Sequence, residues 1–293
     1  MILFPNAKIN VGLRIVRRRP DGYHDLESVF VPIPWCDVLE IVPAKGSQTT
    51  FSIVGDDILQ LADPADNLVM KAYRALEKYI GRSLPPLDFY LSKKIPTGAG
   101  LGGGSADASF ALRGINELLG LGLSLDQLAG VAATVGADCP FFIYNRPMYV
   151  QGIGDVMTPI DVAALDDLWV VAAKIPGTEV STREAYAGVS PAELPAGTDL
   201  RASIALRPDK WMWNGLTNDF EESVFKAQPK VGELKHWFDC WCDYTYCAMS
   251  GSGSTVFVLL HSQAYTDFTV GKLRQAYPEA DIFAGRLSSA PLG

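Results

Sequence analysis

The sequence predicts a two-domain α+β protein, and three observations carry that prediction. Segments that alternate with period two and segments with helical periodicity follow one another along the chain. At 293 residues the chain is long for one hydrophobic core and favours two. The second half repeats the strand–helix alternation in a different arrangement, which places the boundary at residue 152, between domains 1–152 and 153–293.

Residues 7–16 give the first clear strand. Ala7, Ile9, Val11, Leu13 and Ile15 fall on one face, and Lys8, Asn10, Gly12 and Arg14 on the other. The pattern reads as half-buried, with Lys8 and Asn10 side by side on a face that ordinarily meets solvent. Arg19, Pro20, Asp21 and Gly22 have the chemistry of a tight turn. Tyr23 and His24 sit at its exit, and 23–33 continues as the partner strand. On its own, such a Tyr-His pair at a turn is more often packing than recognition.

Short strands follow at 38–42 and 50–54. Asp66 is placed to cap a helix over 67–79, with Leu68, Ala72 and Leu76 on one face. Residues 87–95 read as a strand, 105–119 as a helix carried by Ala111, Ile115, Leu118 and Leu119, and between them lies PTGAGLGGGSAD. Glycine at that density weakens any regular element, so the loop needs unusual backbone angles or close approach to something. Strand, glycine loop and helix N-terminus in that order form an anion site, with free N–H groups and the positive end of the helix dipole. A phosphate suits it. The P-loop pattern starts well with Gly98, Gly103 and Ser105, but Gly104 occupies its lysine position. The dinucleotide pattern fits Gly98, Gly100 and Gly103, yet a second helix follows where a strand ending in an acid is required.

That second helix opens on a capping box, Ser124 to Gln127, is carried by Leu125, Leu128, Ala132 and Val135, and stops at Gly136. Asp138 then stands between the helix stop and the apolar run Phe141, Phe142, Ile143, which reads as a strand. Strand cores avoid carboxylates. Asp138 therefore either serves a local turn or is held inward for chemistry.

In the second half, 148–151 and 168–175 read as strands. A capping box from Ser181 to Glu184 starts a short helix with Thr182 and Tyr186 in its first turns. Residues 194–208 show no clear period. A helix near 231–241 precedes a strand, and then come a second glycine turn, MSGSGS at 249–254, a strand at 255–261, a helix at 264–277 and a strand at 281–284.

Composition narrows the function classes. A net charge of −8 argues against a nucleic-acid partner, since that footprint is basic. The basic cluster Arg17, Arg18, Arg19 adjoins the turn and reads as solvated. No apolar stretch reaches the roughly 18–20 residues of a membrane span, so the expectation is a cytoplasmic protein with no membrane partner. Five cysteines form no C-x-x-C pair, and Cys240, Cys242 and Cys247 near His236 match no zinc spacing. They read as reduced side chains without a metal.

Three motifs in these positions resemble the GHMP kinase family: Pro5-Asn6-Ala7-Lys8-Ile9-Asn10, the loop Pro96 to Ala106, and Ser250-Gly251-Ser252-Gly253-Ser254. Pro20-Asp21-Gly22-Tyr23-His24 and Gly136-Ala137-Asp138-Cys139-Pro140 are similar to a member acting on a CDP-linked methylerythritol. The resemblance spans nearly the whole chain and is looser from Asp161 to Cys247. Ser109 departs from it, where alanine is expected, as does the Cys- and Trp-rich run before Ser250.

The resemblance implies a GHMP kinase fold, with a left-handed βαβ unit in the N-terminal domain and a ferredoxin-like C-terminal domain. It implies that Pro96, Thr97, Gly98, Ala99, Gly100, Leu101, Gly102, Gly103, Gly104, Ser105 and Ala106 wrap the phosphates of ATP, the co-substrate, with Mg²⁺ expected beside it. Lys8 and Asp138 would meet at the substrate hydroxyl, and Asn10, Tyr23, His24, Thr182 and Tyr186 would line the cytidine and erythritol pocket. The expected partners are small molecules only, and the expected state is a monomer or weak homodimer. Another small-alcohol kinase of the family, such as one for homoserine, and a nucleotide sensor without catalysis stand as alternatives. Intact Lys8 and Asp138 count against the sensor.

Overall fold

The computed structural model describes residues 1–55, 66–189, 200 and 216–292. Their contacts gather into two compact units. Met1–Ala7, Cys36–Ile95 and Gly102–Asn145 form the first; Lys8–Trp35, Pro96–Leu101 and Arg146–Gly293 form the second.

The first unit holds a sheet of β1 (Ile2–Leu3), β4 (Val38–Pro43), β6 (Leu87–Ser92) and β5 (Thr50–Ile53), in the order β1-β4-β6-β5. β4 runs antiparallel to β6, pairing Leu39 with Leu91 and Ile41 with Phe89. β5 runs parallel to β6 and sets Phe51 opposite Phe89. These residues alternate inward, as a sheet with one covered face requires.

Helices α1 (Leu68–Ile80), α2 (Gly103–Leu118), α3 (Leu125–Ala133) and α4 (Cys139–Tyr144) bury their apolar sides in the same core. In α1, Val69, Ala72, Tyr73 and Leu76 are buried at the spacing of one helix face. Each fully buried Leu, Ile or Phe contributes about 1.5–3 kcal/mol to such a core. α1 is capped by Asn67, whose side chain accepts from Val69 N, rather than by Asp66. In α3 the capping box forms as the sequence indicates.

A second expectation is overturned at the next element. The run after Asp138 is not a strand but α4, with Pro140 in its first turn and Asn145 ending it at φ 49. A short apolar run carries no period that separates strand from helix; proline early and Asn in the left-handed region were the available signals.

Among its described residues the second unit has two sheets. One comprises β2 (Asn6–Arg18), β3 (His24–Cys36), β7 (Met148–Gln151) and β8 (Val156–Pro159), in that order. The other is antiparallel throughout, in the order β10-β11-β9-β12, from β9 (Trp169–Lys174), β10 (Tyr246–Met249), β11 (Val256–Leu260) and β12 (Asp281–Arg286). Between β9 and β10 lie α5 (Thr182–Ala187), α6 (Glu221–Ala227) and α7 (Pro229–Trp241), and α8 (Gln263–Ala276) precedes β12. This strand order with helices in those intervals is the ferredoxin-like arrangement.

β1, β8 and α6 carry too little period to be read in advance, and most of 194–208 lies outside the described residues. No helix among the described residues is long and apolar enough to cross a membrane.

Candidate active site

In the second unit the site grows from β2. Lys8 Nζ donates to Asn10 Oδ1 at 2.6 Å and sits 4.6 Å from the centre of the Phe30 ring. Asn10 Nδ2 donates to Ser28 Oγ at 2.9 Å, and Ser28 Oγ donates to Gly12 O at 2.7 Å. Lys8 and Asn10 are 3% and 1% exposed, so the face expected to meet solvent is covered. The strand is buried on both faces, and its polar face is a hydrogen-bonded interior layer. Among groups this buried, polar atoms persist only when partnered.

The covering comes from two glycine segments of the same unit. Lys8 N donates to Leu101 O at 2.9 Å, and Thr255 N donates to Ala99 O at 3.2 Å. Ser250 Oγ donates to Gly100 O at 2.9 Å and lies 3.4 Å from Asn10 Oδ1. Gly100, at φ +72, lies so close that a Cβ there would fall 2.0 Å from Ser250 O. A Cβ on Gly251 would fall 3.3 Å from Lys8 Nζ. The first half of the loop, the late turn and the buried ammonium are thus drawn together.

An aromatic group lies in the same unit. His24 stacks on Tyr186, ring centres 5.0 Å apart and 21° from parallel, and Tyr186 meets Phe220 edge-on at 4.8 Å. Thr182 Oγ1 lies 3.3 Å from Ser252 Oγ of the late turn. Tyr23 is 61% exposed. Sequence reasoning had no signal for Phe220, an aromatic residue among many.

The first unit carries the rest of the loop. Gly102 takes the N-cap position of α2 at φ +71, where an L side chain is strained, so the helix start has no side-chain cap and no acid in its first turn. Its leading N–H groups suit an anion. Gly103 is glycine for packing: a Cβ would fall 2.9 Å from Ile95 Cγ2 and 3.3 Å from Lys93 Nζ. Gly104 is exposed, Ser105 half-buried and Ala106 buried.

Lys93 is paired with two carboxylates, Asp37 and, at 2.8 Å, Asp107. Asp37 is fully buried and also accepts from the backbone N of Lys94 and of Ile95, the residues entering the loop. Burial, with the Asp37 charge nearby and against the pull of Lys93, pushes the Asp107 carboxyl up to about 8. One ammonium between two buried carboxylates leaves the second free to keep a proton. The triad escaped sequence reasoning because its members are spread from 37 to 107.

Asp138 occupies the N-cap position of α4 at φ −79 and ψ −15, half-buried, and makes no cap hydrogen bond to that helix. Beside it, Ser109 Oγ reaches Ser105 O at 2.8 Å and Cys139 O at 2.7 Å, tying α2 to the start of α4. A serine there is therefore structural. In the Cys-rich run, Cys240 Sγ lies 3.4 Å from His236 Nε2, and no group of three or more His, Cys, Asp or Glu among the described residues could hold a metal ion.

Residues 67–146 match the GHMP kinases N terminal domain. Over 98% of this chain and all of its relative, the sequence is 42% identical to 4-diphosphocytidyl-2-C-methyl-D-erythritol kinase of Parabacteroides distasonis. A crystal structure of 4-(cytidine 5'-diphospho)-2C-methyl-D-erythritol kinase superposes with a TM-score of 0.79 at 28% identity, covering 99% of this chain and 100% of that one. Homoserine kinase from Cytophaga hutchinsonii superposes at 0.70 with 18% identity, covering 96% and 94%, a likeness of fold alone. The chain belongs to the 4-diphosphocytidyl-2-C-methyl-D-erythritol kinase family, within the GHMP kinases.

Proposed function

We propose that this chain transfers the terminal phosphoryl group of ATP to the 2-hydroxyl of 4-(cytidine 5'-diphospho)-2-C-methyl-D-erythritol. The observation that carries it is the full-length 42% identity to a kinase of that name. The geometry supplies parts for such a transfer. Phosphoryl transfer needs positioning and charge stabilisation more than covalent chemistry.

In this reading the loop from Pro96 to Ala106 holds the ATP phosphates on backbone N–H groups. Lys8 replaces the lysine that the loop lacks. Its ammonium is buried, fixed by Asn10, and beside the late turn. A fixed cation in a dry site stabilises developing charge without reorganising. Asp138 accepts the proton of the attacking hydroxyl, a role that suits a half-buried carboxylate not used as a cap. Asn10, Tyr23, His24, Thr182 and Tyr186 hold the CDP-alcohol, with His24 and Tyr186 already forming a flat aromatic surface suited to a cytosine.

Mg²⁺ enters as the counter-ion of ATP. Protein sites for it need only one or two carboxylates, since phosphates and water complete its shell. The described residues offer no group of three or more His, Cys, Asp or Glu to hold it. The deciding experiment measures ATP consumption against the CDP-alcohol, homoserine and mevalonate in parallel. Turnover with the CDP-alcohol alone is expected; preference for homoserine or mevalonate refutes the assignment, as does binding of both ligands without turnover.

A further inference from the structure

We infer that Asn218 is a positioning residue that keeps the late glycine turn and the aromatic surface in register. The inference rests on the proposed function, since it takes both elements as parts of that site. Asn218 is 3% exposed and lies just before α6. Its Nδ2 donates to Met249 O at 2.7 Å and to Gly251 O at 2.8 Å, on either side of Ser250. Its Oδ1 accepts from Phe220 N at 3.0 Å. Both amide protons and the carbonyl are thereby used.

The two ends of that amide reach different parts of the site. Through Gly251 and Ser250 it fixes the turn that hydrogen-bonds Gly100 O and adjoins the Lys8 ammonium. Through Phe220 it fixes the ring that meets Tyr186 edge-on, and Tyr186 stacks on His24. The segment carrying Asn218 is itself pinned to β2. Leu13 N donates to Thr217 O at 2.9 Å, Asp219 N donates to Leu13 O at 3.0 Å, and Ile15 N donates to Asp219 Oδ2 at 2.7 Å. Asn218 therefore stands on a segment pinned to β2 and holds the glycine turn and the Phe220 backbone from it. A tightly supported second layer of this kind sets how well a site is preorganised.

The chemistry of the amide separates its two jobs. Asn218→Asp keeps an oxygen for Phe220 N but removes both donors and turns a carboxyl toward two carbonyls. Turnover should fall about 10- to 100-fold, the scale of two lost buried hydrogen bonds, while KM for the CDP-alcohol changes less than about threefold. Phe220→Leu should do the reverse, raising that KM about 5- to 20-fold with a smaller loss in kcat. A residue serving stability alone would lower the melting temperature and leave kcat per folded enzyme and this split unmoved. Should Asn218→Asp not fold, Asn218→Ala is measured instead and should lose both parameters together. Wild-type kcat in folded Asn218→Asp, or wild-type values of either parameter in Asn218→Ala, overturns the inference. Tyr186→Ala measured in parallel keeps the two readings apart: an unchanged KM there removes the aromatic surface from the site, whatever Asn218 does.

Discussion

A single methyl group at Gly100 is a sharp perturbation of the loop. Gly100 has φ +72, where a side chain costs about 1–2 kcal/mol in backbone strain alone. A Cβ would lie 2.0 Å from Ser250 O and 2.9 Å from Ser250 C, so loop and turn must part. Parting them loses the bond from Ser250 Oγ to Gly100 O, at 2.9 Å, and the bond from Thr255 N to Ala99 O, at 3.2 Å. Each is worth about 0.5–1.5 kcal/mol. Together the terms come to about 2–5 kcal/mol, set against the loop conformation that, in the proposed function, receives the phosphates. That converts to ATP affinity weakened about 30-fold to several thousandfold. Titration calorimetry with a non-hydrolysable ATP analogue on Gly100→Ala, beside a thermal melt, reads the effect. A folded variant binding within about threefold of wild type would refute the reasoning, because the contact cannot be both this close and irrelevant to the ligand.

Three further outcomes follow from the site. Asp138→Asn and Lys8→Ala should each lower turnover about 10²–10⁴-fold with little change in ligand affinity, and the double variant should lose far less than the product; near-normal turnover of Asp138→Asn removes it as the base. His24→Ala should weaken the CDP-alcohol and spare ATP, so an equal loss for both in calorimetry contradicts its placement. Asp107 is protonated in the fold up to about pH 8 but ionises near 3.9 when unfolded, so it withdraws stability as pH rises from about 4 to 8. Asp107→Asn should flatten that decline, and urea midpoints at pH 5 and pH 8 that fall in parallel for both proteins would contradict it.

What the sequence made legible was local. Both capping boxes, Ser124 with Gln127 and Ser181 with Glu184, close within four residues and form as read. The ten-residue alternation that opens the chain identified β2 and set Lys8 beside Asn10. That the polar face is interior could not be read, because its cover comes from far away: Ser250 is 240 residues from Asn10. The glycine loop showed that close approach was needed but not to what. At Gly100 the neighbour is the Ser250 carbonyl and at Gly103 the Ile95 side chain. Asp138 stood out as a carboxylate in an odd place, and the structure sets it at the head of α4 with no cap hydrogen bond to that helix, although the element after it was misread. Asn218 and Phe220 gave no sign, since hydrogen bonds of a buried amide leave no period.

The acidity of the chain and the charge of its proposed ligands are compatible for a reason the site supplies. A net charge of −8 repels ATP at long range, but that repulsion is screened beyond about 10 Å at ordinary ionic strength. In the proposed site, recognition then falls to the fixed dipoles of the loop and to the Lys8 ammonium. Lys8 has already lost its water, and the cost of that burial is offset in part by Asn10 Oδ1 and the face of Phe30. Its ammonium sits beside the late glycine turn, a Cβ on Gly251 falling 3.3 Å from Lys8 Nζ. In the proposed site, a phosphate bound there would gain charge pairing without a second desolvation of the lysine. The same arrangement makes the polar layer sensitive to small losses: removing Asn10 would leave the buried Lys8 ammonium with less compensation.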